Sequence, residues 1–364
     1  MHPINNRSRN FLLSTLIILM IIFLADLSIA KQLIFEREYT YQASEIDSKV
    51  SCRANALEQV KRLLLEELGT YLESRTEVRN FKLTKDQIIT LTAGIVRTEI
   101  VKERWDFNTY WMKAKIEANP DEVIKSVDSL RKDHQKTKEL EETREKAAEY
   151  LKEMERLRSE LALAKGDTRK QGEYNEAVKG LRATDWFEKG EAYREGKKYQ
   201  VAISAYNKAI ELDPKYKNAY LTRGAAYGVL GNYQQAISDF TRAIELDPKH
   251  AYAYNNRGVS YGKLGNYQQA IFDISRAIEI YPGYTLAYTN RGLTYGKSGK
   301  YLLAISDFTR AIELDPKDAH AYYNRGITYS KSGNLKQAIK DYKIAARLGY
   351  KQAQNLLSKK GIDW

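Results

Sequence analysis

Residues 217–250 read KNAYLTRGAAYGVLGNYQQAISDFTRAIELDPKH, and residues 251–284 follow as AYAYNNRGVSYGKLGNYQQAIFDISRAIEIYPGY. Set one above the other, the two stretches keep glycine, tyrosine, alanine and proline in register. The pattern runs outward in both directions. Pro214, Pro248, Pro282 and Pro316 stand at intervals of 34 residues, and a fixed period of that size marks stacked repeats. Placing these prolines at position 32 gives five units: 183–216, 217–250, 251–284, 285–318 and 319–352. Position 8 is then Gly190, Gly224, Gly258, Gly292 and Gly326. Position 20 is Ala202, Ala236, Ala270, Ala304 and Ala338. Position 27 is alanine and position 11 tyrosine in every unit, while positions 4 and 24 are aromatic or apolar.

The pattern has a physical reason. Each unit holds two helical stretches; in the second they run from about Ala219 to Leu230 and from Tyr233 to Leu246. Gly231-Asn232 makes the turn, and Asp247-Pro248 stops the second helix. A glycine inside a helix costs about 1 kcal/mol against alanine, so its return at position 8 implies a close helix contact. The small residue at position 20 is the expected neighbour. One unit cannot bury such a surface alone, and stacking can. The fifth unit has Tyr350 where proline is expected. The segment beyond it, 353–364, reads as a helix covering the open end, with Gly361 as its stop.

These positions resemble the tetratricopeptide repeat from Ala183 to near Gly349. The resemblance implies a mainly α fold, a right-handed superhelix whose first helices line a concave face. It further implies that positions 2, 5, 6, 9, 12 and 13 face that groove. Position 6 is Asn256, Asn290 and Asn324 in the last three units, and position 13 is Lys263, Lys297 and Lys331. A carboxamide donates to and accepts from a peptide backbone at once, and a lysine row attracts carboxylates. The expected partner is a protein or extended peptide of acidic character. Units one and two carry neither row. Arg223, Arg257, Arg291 and Arg325 at position 7 pair in prospect with Asp239, Asp273, Asp307 and Asp341 at position 23, as a structural ladder.

Upstream the texture changes. Leu33 to Tyr41 alternates as a strand does. Ser44 is placed to cap a helix reaching about Leu72, with Val50, Leu57, Val60, Leu64 and Leu68 on its buried stripe. Thr84 to Gln87 is a capping box. Ile95–Trp105 and Thr109–Glu117 read as a hairpin, and Asn119-Pro120 opens another helix. Residues 31–130 therefore form a small α/β domain. Through Ser51-Cys52-Arg53-Ala54, Gly69 to Ser74 and the closing hairpin, it is similar to the N-terminal domain of flagellar assembly protein T and related envelope lipoproteins. That likeness implies an assembly role in the envelope. In 131–166 a heptad runs Leu140, Thr143, Ala147, Tyr150, Met154, Leu157, Leu161, Ala164, either a coiled coil pairing two copies through 140–164 or a single charged spacer. Residues 167–182 read as a linker.

Residues 1–30 have the layout of a secretory signal. Arg7 and Arg9 precede an apolar run from Phe11 to Leu24, and Ser28-Ile29-Ala30 offers a cleavage site. The alternative is an uncleaved anchor; either way the arginines stay cytoplasmic and the rest is exported, most naturally to a periplasm. With one cysteine, Cys52, no disulfide forms within the chain, and four scattered histidines show no metal spacing. The net charge of +12 is concentrated late: residues 319–364 hold nine Lys and Arg against Asp341 and Asp363. Export and this placement argue against nucleic acid. Gly296-Lys297-Ser298 ends a repeat helix and does not follow a strand, so it is no phosphate loop. No nucleophile–base set or paired carboxylate argues for an enzyme, and no cofactor is expected. The reading is an exported adaptor that holds a client in the solenoid. The rival is a structural envelope subunit acting through its α/β domain, with the repeats as spacer.

Overall fold

The computed structural model describes residues 32–106, 108–163 and 167–364. The signal or anchor read in residues 1–30 lies outside them, as do Phe107 of the hairpin tip and Ala164 of the heptad. Among the described residues no helix is long and apolar enough to cross a membrane.

Alternating side chains build the first layer. Strands β1 (Leu33–Gln42), β2 (Thr98–Trp105) and β3 (Thr109–Ala118) form an antiparallel sheet in the order β1-β3-β2. Leu33 lies opposite Ala118 and Gln42 opposite Thr109; the β2–β3 register shifts between Ile100 and Lys102. One face of β3 presents Tyr110, Met112, Ala114 and Ile116 to Leu57, Val60, Leu64 and Leu68 of α1 (Lys49–Glu73). The other face is laced by ion pairs from Lys113 and Lys115 to glutamates of the outer strands. Helix α1 starts later than Ser44 because Ser48 takes the cap, accepting from Ser51 N. Ser44 instead donates to Asp47 through both its backbone N–H and its hydroxyl, each at 2.8 Å. Val50, expected on the stripe, is exposed. Short helices α2 (Thr76–Arg79), α3 (Lys85–Ala93) and α4 (Pro120–Leu130) close the domain, α3 with the Thr84–Gln87 box and α4 with an Asn119 cap. Cys52 is fully buried against this core, and burial together with nearby Asp47 pushes its thiol up to about 11.

Two expectations change in the connector. The heptad forms one helix, α5 (His134–Leu163), but its stripe is buried within the chain. Met154, Leu157 and Leu161 pack on Tyr174, Ala177, Val178 and Leu181, and the ring of Tyr150 lies on Gly180. Among the described residues, a second copy pairing along this stripe would have to displace that packing. Nor is 167–182 a linker. It is the first half of α6 (Thr168–Glu195), capped by Asp167 and continuous with the first helix of unit one. Apolar residues at helical spacing (Tyr174, Ala177, Val178, Leu181) carried that signal. Asp47 ties these helices to the sheet domain. Its side chain is 0% exposed, 3.2 Å from Arg158 Nε, and accepts from the hydroxyls of Tyr41 and Tyr174.

The solenoid follows as helix pairs. Unit one ends in α7 (Tyr199–Leu212). Units two to four are α8 (Lys217–Val229) with α9 (Tyr233–Leu246), α10 (Ala251–Lys263) with α11 (Tyr267–Ile280), and α12 (Thr285–Lys297) with α13 (Tyr301–Leu314). Unit five is α14 (Ala319–Lys331) with α15 (Leu335–Arg347), and α16 (Lys351–Lys359) buries Ala353 and Leu357 against it. The turn glycine Gly231 has φ +80°, the left-handed region that favours this residue. The position 8 glycines answer mainly to position 24. A Cβ on Gly224, Gly292 or Gly326 would meet the ring of Phe240, Phe308 or Tyr342. The expected neighbour, position 20, enters through its carbonyl in units three and five.

The position 7 arginines form the anticipated ladder. Arg257 binds Asp273 with Nε at 2.7 Å and Nη2 at 2.9 Å, and donates from Nη1 to Thr241 of the preceding unit at 3.1 Å. Arg223, Arg291 and Arg325 repeat the geometry with Asp239, Asp307 and Asp341. Each guanidinium also lies over the tyrosine three residues earlier.

His250 caps α10 by accepting from Ala253 N at 3.3 Å, which requires a neutral ring. Burial, with Lys217 close by, lowers its pKa from 6.5 to about 4, against the opposing pull of Asp247 and Glu142. A depressed histidine contributes stability above the unfolded value and loses it as pH falls towards the folded one. Between pH 7 and pH 5 this group should remove about 2 kcal/mol. In urea titrations at the two pH values, His250→Asn, which can still cap, should flatten the difference. An unchanged difference would show that His250 does not set it.

Candidate functional site

The first helices of successive units touch one another, α8 with α10, α10 with α12 and α12 with α14. That contact sets them on the inner side of the curve. On α10, α12 and α14 the inner surface carries three rows. Asn256, Asn290 and Asn324 are half-buried at position 6, and Lys263, Lys297 and Lys331 are exposed at the helix ends. Seven residues of helix separate these rows by about 10 Å. Between them, at position 9, stand Val259, Leu293 and Ile327, partly open to solvent with Leu293 the most exposed. This apolar row was not singled out in the sequence. Its signal was available: apolar residues three after each asparagine and four before each lysine.

The asparagines are not equivalent. Asn255, buried at position 5, donates to Asn256 Oδ1 at 3.1 Å and accepts from Asn290 Nδ2 at 3.0 Å. Asn256 and Asn290 thus belong to a relay that stitches α10 to α12, each keeping part of its amide for an incoming group. No such bond to another described side chain engages Asn324. Lys263, Lys297 and Lys331 have no carboxylate at ion-pair distance among the described residues, and each closes the last turn of its helix. There a cation is favoured by the helix dipole. At two further groove positions, Asn218 Oδ1 and the Thr289 hydroxyl are buried with no hydrogen-bond partner among the described residues. An orphaned buried group costs about 1–3 kcal/mol.

The inner surface of unit one is occupied. Glu188 and Glu195 stand where later units have asparagine and lysine. Lys61 of α1 lies 2.8 Å from Glu188 and 3.4 Å from Asp185, and Arg97 lies 2.7 Å from Glu195. Burial alone would depress Lys61; the carboxylates of Glu188, Asp185 and Glu58 outweigh it and raise its pKa. Burial likewise pushes the nearby Glu58 carboxyl up. The α/β domain is therefore seated on groove positions 6 and 13 of unit one. The absence of both rows there has a direct cause: these residues hold a neighbour within the chain. Opposite charge at those two positions was the only sequence signal.

The groove left open spans units two to five. It can accept backbone hydrogen bonds along one edge, apolar side chains along its middle and carboxylates along the other edge. Among the described residues no group of His, Cys, Asp and Glu is arranged to hold a metal.

Comparison with known proteins bears on the repeats. A tetratricopeptide-repeat family model matches residues 218–250, 251–284 and 285–318; a second TPR model matches 190–231 and a third 308–340. No curated protein matches the chain. Among solved structures, a crystal structure of MamA is 30% identical, covering 45% of this chain and 96% of its own, with a TM-score of 0.42. YrrB, described as a TPR protein with an unusual peptide-binding site, is 26% identical over 48% of this chain and 90% of its own, with a TM-score of 0.41. PilW, a type IV pilus biogenesis factor, is 24% identical over 48% and 78%, with a TM-score of 0.43. With repeat models covering residues 190–340 and helix pairs in the matching phase, that part of the chain is a run of tetratricopeptide repeats.

Proposed function

We propose that the chain is a non-enzymatic adaptor that holds an extended, acidic segment of a client protein in the groove of units three to five. One observation carries this reading: asparagine, an aliphatic side chain and an unpaired lysine recur at positions 6, 9 and 13 on three successive inner helices. Asn256, Asn290 and Asn324 would grip the client backbone. Val259, Leu293 and Ile327 would bury alternate side chains, and Lys263, Lys297 and Lys331 would meet carboxylates. A solenoid presents such a surface to another polypeptide by construction. Export supplies the setting. Arg7, Arg9, the apolar run to Leu24 and Ser28-Ile29-Ala30 support delivery to a periplasm, with an anchor in the inner membrane as the alternative form. The α/β domain would then dock the adaptor in the envelope.

The engagement of Asn256 and Asn290 with Asn255 makes alanine at those sites a stability change as well as a binding change. The lysines make the cleaner test. A photo-crosslinking residue at Leu293 in cells should capture a client band, and Lys263→Gln, Lys297→Gln and Lys331→Gln together should remove most of it. Loss of three charges at helix ends should cost only a few tenths of a kcal/mol each, leaving the melting curve nearly unchanged. A crosslinker at Ser306, exposed on the second helix of unit four, serves as control. Equal capture from Ser306, or capture from Leu293 indifferent to the lysine changes, would sink the groove assignment.

A further inference from the structure

Positions 18 and 19 open the second helix of each unit. They are Gln234-Gln235 in unit two and Gln268-Gln269 in unit three, but Leu302-Leu303 in unit four. The two leucines do not enter the core: Leu302 is 81% exposed and Leu303 49%. They line an open hollow of about 560 Å³ with Gly299, Lys300, Tyr301, Lys331 and Ser332, between the helix turn of unit four and the end of α14. Neither Lys300 nor Lys331 has a carboxylate at ion-pair distance among the described residues. An aliphatic pair left in water beside two unpaired cations contributes nothing to the fold's own core, and the sister units show that the fold works with glutamine there.

We propose that this hollow, on the turn edge of units four and five, is a second docking site for a short peptide carrying two adjacent apolar side chains flanked by carboxylates. The apolar pair would cover Leu302 and Leu303 and lie against the Tyr301 ring, and the flanking carboxylates would meet Lys300 and Lys331. The lining favours this sign of partner: its charged residues are Lys300 and Lys331, both cations. The site shares Lys331 with the position 13 row of the groove, but it rests on Leu302 and Leu303, which belong to none of the groove rows.

The probe is a fluorescein-labelled hexapeptide, Glu-Glu-Leu-Phe-Glu-Glu, titrated into the full chain by anisotropy. Leu302→Gln with Leu303→Gln restores the residues of units two and three and should leave thermal stability unchanged. The double variant should bind the peptide at least tenfold more weakly, because the apolar contact is gone. A Glu-Glu-Ala-Ala-Glu-Glu peptide should bind the parent chain as poorly. Methyl NMR should place the largest shifts at Leu302 and Leu303. Equal binding by the glutamine variant, or shifts centred on Val259 and Leu293, would overturn the proposal. So would a leucine pair that drives self-association in sedimentation, or one that binds phosphatidylglycerol vesicles while ignoring the peptide.

Discussion

Arg257→Ala should destabilise the solenoid by about 3–5 kcal/mol, because it strands a carboxylate. Asp273 is 0% exposed, and both of its oxygens are held by the one guanidinium. Removing that partner leaves a charge out of water with nothing to meet it. The same substitution also removes the bond to Thr241 that ties unit two to unit three. The pair itself is a different matter. Burial raises the Asp239 carboxyl of the preceding rung in spite of Arg223 beside it, which shows how far desolvation offsets the attraction. Replacing both partners by apolar residues of like size, Arg257→Met with Asp273→Leu, should therefore recover most of the loss. Urea unfolding followed by circular dichroism reads both outcomes. A single variant within 1 kcal/mol of the parent would mean that the ladder is not structural.

Gly258→Val should cost about 3 kcal/mol or more, at the upper end of core overpacking. Even a bare Cβ on Gly258 would stand 2.7 Å from Ile274 Cγ1 and 2.9 Å from the Ala270 carbonyl oxygen. A side chain can swing aside, but the Ala270 carbonyl belongs to the helix backbone and cannot. Valine adds two further carbons to that contact, so α10 and α11 must move apart. Gly228, also helical but with nothing within 4 Å of its Cβ position, provides the contrast. Gly228→Ala should be neutral or slightly stabilising by helix propensity. Thermal melts of the two variants separate the readings; similar losses would mean that the position 8 glycine answers to something other than the helix contact.

The repeat half of the fold was legible because its determinants are local and recur. Glycine, alanine and proline at fixed positions each report one steric fact five times or nearly so. The connector was less legible. The heptad of α5 is a true apolar stripe, but a stripe does not name its partner, and the partner is α6, whose first two turns read as polar through Thr168 to Glu173. The cap of α1 moved from Ser44 to Ser48 because both serines have capping chemistry, and a contact 127 residues away, Tyr174 on Asp47, helps decide between them. The candidate groove was legible as rows of asparagine and lysine. The Asn255 relay was not, since it joins two units through a residue that does not repeat. Nor was the seat of the α/β domain on Glu188 and Glu195, a purely tertiary event.

The clamp formed by α5 has a mechanical outcome. Lys146 binds Asp213 at the end of unit one, while Glu142 lies 3.0 Å from Lys217 at the start of unit two. A single rigid rod thus crosses the first joint of the array. Among the described residues, units three and four are joined by helix packing, the Arg291 rung on Ser275 and the Asn290–Asn255 bond, and units four and five by packing and the Arg325 rung on Thr309. An array tied at its root in this way should bend first towards its tip, so that the pitch of the last units would adjust to the girth of whatever lies along them while the root keeps its bearing on the sheet domain.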